Sequence, residues 1–214
     1  MGRRVACTLT QRPALITLGR MARIPLRTSK DTSGEVSQLL RRLKERGTNL
    51  NVMRAIANSD GAFRNFLRLG QSLLAHCKLD PRWRELAIMR VAWRNGSDYE
   101  WGQHVSFARS AGLSDAEIEA VKDWEPSDLD ERSKAVLRFT DEVDSVALTD
   151  ETHAGVAAFL DTTEIAELTL SVGFWSMVAR FLVGMQIERE PATPGFDGWQ
   201  KESSPLPFTE RQQR

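Results

Sequence analysis

Glu85, Tyr99, Glu100 and His104 are the side chains of this chain whose types and spacing suit proton transfer. Glu100 and His104 stand four residues apart, one helical turn, so on a helix they share a face and can meet. An unperturbed imidazole titrates near pH ~6.5, and a carboxylate beside it orients the ring and strengthens its hold on a proton, as a general acid or base requires. Glu85 lies in line with Ile88, Met89 and Ala92 at helical spacing, so its carboxylate is expected to be part-buried, and burial favours the protonated form of a carboxyl. Tyr99 is the only tyrosine. Trp101, beside Glu100, is a candidate pocket wall, and Arg90, with Arg94, offers a guanidinium that can grip a substrate carboxylate bidentately.

Each of these residues has a plainer role to weigh against the chemical one. Ser97-Asp98-Tyr99-Glu100 is a helix-capping sequence, with Ser at the cap and Glu three residues on, contributing about 1 kcal/mol and accounting for Ser97 without any chemistry. Arginines on a helix are usually solvated, and Trp83, Trp93, Trp101 and Trp175 have the spacing of core or interface residues. Glu100 and His104 supply only two metal ligands, with no third His or Cys near in sequence. Neither a metal nor a cofactor is therefore expected.

Helices must position these groups. From Ser33 to Ile187 apolar residues recur at three-and-four spacing, repeatedly preceded by Ser, Thr or Asp, with almost no strand alternation. The pattern predicts an all-α helical bundle with helices near 34–46, 51–58, 60–77, 81–95, 98–111, 115–123, 130–146, 150–160 and 163–188. Asp80-Pro81 opens the helix of Glu85 as cap and first-turn proline, and Asn95-Gly96 ends it, because Gly accepts the left-handed conformation that stops helices. Ser97 then opens the helix of His104, and Ser114-Asp115-Ala116-Glu117 forms a further capping box.

Compared with itself at an offset of 82 residues, the chain places Glu85-Leu86, Trp93, Tyr99 and Gly102 on Glu167-Leu168, Trp175, Phe181 and Gly184. This suggests an internal duplication, with half-repeats at about 60–125 and 130–188. Ser97, Glu100 and His104 fall on Ala179, Leu182 and Gln186. The first copy is polar where the second is apolar, so the chemistry is expected in the first and core in the second.

The 214 residues carry 29 basic and 29 acidic side chains, a net charge of zero, which provides no field to draw the chain to nucleic acid or to anionic membranes. Cys7 and Cys77 are far apart and outside any Cys-x-x-Cys spacing, which fits a reducing, cytoplasmic compartment. No uninterrupted apolar run reaches the roughly 18 to 20 residues of a spanning helix. Residues 1–20 are expected to be a flexible extension or a mis-called start, since residues 1–30 hold seven basic and no acidic residues and Met21 begins a natural opening. Residues 21–190 are expected to form a single helical domain, and 191–214, rich in Pro and Gly, an irregular tail.

The run Arg84-Glu85-Leu86-Ala87-Ile88-Met89-Arg90-Val91-Ala92, then Tyr99-Glu100-Trp101 and His104, then Ala111-Gly112-Leu113-Ser114 and Glu117-Ile118, resembles the carboxymuconolactone decarboxylase and alkylhydroperoxidase-like superfamily. The resemblance implies a helical bundle of the alkylhydroperoxidase type and a homo-oligomer, trimeric or hexameric. Thiol peroxidases of this family carry Cys-x-x-Cys, a His four residues later and a Glu twelve residues before the first Cys. Those spacings land on Ser97, Glu100, His104 and Glu85. Both thiol positions are therefore held by non-thiols, which removes the nucleophile and its resolving partner.

The decarboxylase branch, which does not use cysteines, is the better guide to activity. The resemblance implies a lyase-like enzyme doing cofactor-independent acid–base chemistry on a small carboxylated or lactone substrate. His104 would be oriented by Glu100, with Glu85 and Tyr99 as helpers and Trp101 and Arg90 binding substrate. Two alternatives stand beside it: an alkylhydroperoxidase-like oxidoreductase with a non-standard site, using Cys77, and a non-catalytic oligomeric helical binding protein.

Overall fold

The computed structural model describes residues 22–190. Residues 1–21 and 191–214 lie outside it, and with them the expectations about an N-terminal extension, a start at Met21 and a C-terminal tail. Nine helices follow one another among the described residues, and no strand: α1 (Gly34–Glu45), α2 (Asn51–Ile56), α3 (Asp60–Ala75), α4 (Pro81–Arg94), α5 (Asp98–Ser110), α6 (Asp115–Ala120), α7 (Glu131–Asp144), α8 (Asp150–Ala157) and α9 (Thr162–Met185). One 3-10 turn, Val121–Asp123, joins α6 to the segment before α7.

The starts are set where short polar side chains satisfy the orphan N–H groups of a first turn. Asp80 accepts from the Arg82 amide at 2.8 Å, with Pro81 at the first helical position. Ser114 with Glu117, and Asp161 with Glu164, form complete capping boxes. At α5 the box is only half made. Ser97 accepts from the Glu100 amide at 3.4 Å, but the Glu100 carboxyl does not reach back, which leaves that side chain for another use.

Central to the fold is α4, in which Arg84 through Met89, Val91 and Ala92 are buried on all sides. It packs against α5, α7 and α9. Such all-round burial explains why its apolar residues are not confined to one stripe. A second, smaller core joins α1 to the start of α3 through Leu39, Leu40, Leu43, Phe63 and Leu67.

Two local features differ from the sequence pattern. First, the duplication does not extend to the backbone: α4 and α5 form a hairpin, whereas the matching stretch is one unbroken 24-residue helix, α9. Gly96, at φ +65°, makes the reversal. Second, α9 is long and apolar enough by composition to cross a membrane although Glu164, Glu167 and Arg180 interrupt any strict apolar run. Half of its most apolar stretch is buried within the fold, as in the core helix of a globular bundle.

Candidate active site

The α4–α5 reversal brings residues on either side of the turn opposite one another, and the buried polar groups meet there. Glu85, fully buried on α4, accepts from Arg84 Nε at 3.1 Å on one oxygen and bonds His104 Nδ1 at 2.8 Å with the other. On the far side of the ring, Trp175 Nε1 of α9 donates to His104 Nε2 at 3.0 Å. An indole N–H is a donor only, so Nε2 must accept, and the imidazole proton sits on Nδ1, pointing at Glu85. His104 is thereby held on both nitrogens.

This corrects the expected pairing of His104 with Glu100. A carboxylate already gripped by a guanidinium is a stronger acceptor than a carboxyl that burial keeps neutral, and it lies within reach across the hairpin. Glu100 is fully buried, and neither of its carboxyl oxygens has a hydrogen-bond partner among the described residues. Burial, with the negative charge of Asp144 added, pushes its carboxyl well above the usual carboxylate range. The proton-holding carboxyl is thus Glu100, whereas Glu85 has both oxygens committed.

Glu100 and His104 line a cavity of about 100 Å³ between α3, α5, α9 and the segment through α2. Thr48, Gln71, Tyr99 and Gln103 supply the rest of its polar wall, and Leu50, Met53, Phe66, Phe174 and Val178 much of the remainder. Tyr99 is anchored: its hydroxyl accepts from the Val52 amide at 3.2 Å and donates to Glu190 at 2.8 Å. Burial, then the Glu190 charge, pushes that phenol upward, so it stays protonated. Gln103 donates to the other Glu190 oxygen at 2.9 Å.

Arg90 and Trp101 are not in the cavity wall. Arg90 grips both oxygens of Asp141 at 2.6 and 2.8 Å and donates to the carbonyls of Val121 and Lys122, tying α4 to α7 and to the 3-10 turn. Trp101, the next residue after Glu100, is turned about 100° round the helix. It packs against Trp93 at 5.9 Å between ring centroids, under the Lys122 ammonium. Both residues, expected to bind substrate, thus stand outside the wall that Glu100 and His104 share.

Cys77 is half-buried outside the wall, its thiol pushed up to about 11 by burial and by Glu167. Cys7 lies outside the described residues. Among the described residues, no group of three or more His, Cys, Asp or Glu side chains is placed to hold a metal ion.

Arg84, Gln71, Gln103, Trp175 and Glu190 are site residues that helical spacing did not point to. One signal was available. In a hairpin turning at Asn95-Gly96, residues about ten before the turn lie opposite those about eight after it, which sets Glu85 near His104.

Residues 60–142 match the Carboxymuconolactone decarboxylase family. No curated protein matches the chain. Among solved structures, an uncharacterized peroxidase-related protein from Ralstonia eutropha JMP134 with an alkylhydroperoxidase AhpD core superposes with a TM-score of 0.67 at 19% identity, covering 79% of this chain and 92% of that one. A peroxidase-related protein from Silicibacter sp. TM1040 gives 0.67 at 17% identity, with the same coverages of 79% and 92%. The debrominase Bmp8, as a cysteine-to-alanine variant in complex with 2,3,4-tribromopyrrole, gives 0.60 at 18% identity over 71% of this chain and 83% of that one. At such identities the likeness is one of fold.

Proposed function

We propose that this chain, whose residues 60–142 match the Carboxymuconolactone decarboxylase family and whose fold is that of alkylhydroperoxidase-like proteins, is a cofactor-independent acid–base enzyme acting on a small lactone or carboxylated substrate, with Glu100 as the group that exchanges the proton. The observation that carries this reading is the Glu100 carboxyl, buried in a cavity wall, bonded to nothing among the described residues and pushed by that burial well above the usual carboxylate range. A neutral carboxyl donates its proton as negative charge develops on a substrate oxygen. The carboxylate it becomes is poorly solvated there, and so it recovers a proton from an acidic carbon of the same substrate, completing an isomerisation or ring opening.

His104 serves in this reading as a fixed wall, because Trp175 occupies the nitrogen that would otherwise accept a proton. Glu85, with Arg84 behind it, sets the ring's orientation and tautomer. A thiol route has no support from the geometry: Ser97 caps α5, and Cys77 is not among the lining residues, its thiol pushed up to about 11.

The test uses small lactones and lactone acids in D2O, followed by NMR for hydrogen–deuterium exchange, ring opening or loss of CO2. Glu100→Gln, of the same shape but unable to hold and release a proton, is expected to lower the rate roughly 10²- to 10⁴-fold with unchanged circular dichroism. Full activity in that variant sinks the assignment.

A further inference from the structure

We infer that the cavity takes a small, neutral ring compound bearing an O–H or N–H donor beside a hydrogen-bond acceptor, and that it rejects carboxylates. The inference rests on the reading of this cavity as the substrate site, and it narrows that site's substrate to the lactone-like, uncharged side of the range.

Most of the polar side chains in the wall are already bonded within the fold. Thr48 donates its hydroxyl to the Leu43 carbonyl at 3.3 Å. Tyr99 is bonded to Val52 and Glu190, Gln103 donates to Glu190, and His104 has both nitrogens filled. Three buried oxygens are left without partners among the described residues: both of Glu100 and the amide oxygen of Gln71. Buried polar atoms are satisfied in the large majority of folded proteins, so unpaired oxygens on two side chains of one cavity mark what a ligand must supply. The Gln71 oxygen can only accept and calls for a donor, whereas a neutral carboxyl offers one donor and one acceptor.

Charge gives the second half. No Lys or Arg lines the cavity among the described residues. The nearest buried guanidinium, Arg84, already serves Glu85 and the Leu73 carbonyl. An anionic ligand would enter an apolar space with no counter-charge and with Asp144 already disfavouring negative charge at Glu100. The volume, about 100 Å³, and the flanking rings of Phe66 and Phe174 suit one small ring, given that an engineered apolar cavity of ~150 Å³ holds benzene.

Three probes separate the chemistries: 2-pyridone, neutral with donor and acceptor adjacent; benzoate, anionic; and toluene, apolar only. Calorimetric titration of the full chain at neutral pH is expected to show 2-pyridone binding at least about tenfold more tightly than either other probe. Glu100→Gln keeps a donor and an acceptor and should bind 2-pyridone within about threefold of the native chain. Glu100→Leu and Gln71→Leu should each weaken it about five- to tenfold. Equal or tighter binding of benzoate, no binding of any probe, or unchanged affinity in both Leu variants would overturn the inference. Because Glu100→Gln removes the acid but not the hydrogen bonds, intact 2-pyridone binding together with undiminished lactone turnover in that variant defeats the acid–base reading alone.

Discussion

The hairpin α4–α5 and the single helix α9 share a residue pattern at an offset of 82 and become different objects. Asn95-Gly96-Ser97 stands in the first where Met177-Val178-Ala179 stands in the second. Three residues that stop and restart a helix fold one stretch back on itself; three that continue a helix carry the other straight on. The reversal lets Glu85 face His104, and the matching Glu167 instead accepts from the Leu79 amide at 2.8 Å, holding the loop before α4. Equal sequence position therefore did not confer equal role. Nor is α9 mere core, since its Trp175 supplies the donor that pins His104.

The largest effect separates the two glutamates. Glu85→Ala removes a fully buried carboxylate and leaves Arg84 and His104 facing an apolar gap, and breaking such a buried pair costs about 3–5 kcal/mol. Glu167→Ala, which loses a bond to one backbone amide at a part-buried site, is expected to cost roughly 1.5 kcal/mol. Urea denaturation of both variants checks this. Equal losses would mean that the hairpin confers no special role on Glu85.

A smaller effect comes from giving α5 the residue that α9 carries at the matching place, Glu100→Leu. The Glu100 carboxyl titrates higher in the folded chain than its ordinary value of 4.5. From about that pH upward the unfolded chain loses this proton while the folded chain keeps it, so native stability falls as pH rises toward the raised folded value. Leu has no such dependence and leaves no unsatisfied oxygens. The variant is expected to be more stable by about 1–3 kcal/mol at neutral pH, with the gap narrowing toward pH 4. Thermal melts across pH 4 to 9 measure it, and a gap that does not change with pH would place Glu100 in contact with water.

Much of this architecture is legible in the residues themselves. Asp80-Pro81, Asn95-Gly96, Ser97 and Ser114 set helix ends that the structure keeps to within a residue or two. The helical expectation overruns the observed helix ends by one to three residues, and at α9 the stop is made by Gln186, left-handed at φ 54°. The site is half legible. Glu100 and His104 share a face by spacing, and both line the cavity, but spacing on one helix cannot say which partner a side chain takes from another. Arg84 reaching Glu85, Trp175 reaching His104 and Glu190 reaching Tyr99 are pairings set by how the chain packs rather than by any local period. The pairing of Arg90 with Asp141 is of the same kind, its acceptor being 51 residues away.

The smallest effect tests the break itself, by making one substitution in both regions. Gly96 holds φ +65°, and nothing lies within 4 Å of where a Cβ would stand, so Gly96→Ala meets no clash and bears only the conformational cost of a left-handed non-glycine residue, about 1 kcal/mol. Gly173, within α9, also has open space around its Cβ position and is helical. There Ala restricts the unfolded chain and suits the helix, so Gly173→Ala is expected to stabilise by roughly 0.5–1 kcal/mol. The same methyl group thus carries opposite signs in the two stretches, and paired thermal melts read the difference directly. If both variants were stabilised, the turn would tolerate helical continuation, and the juxtaposition of Glu85 with His104 would need a cause other than the Asn95-Gly96 break.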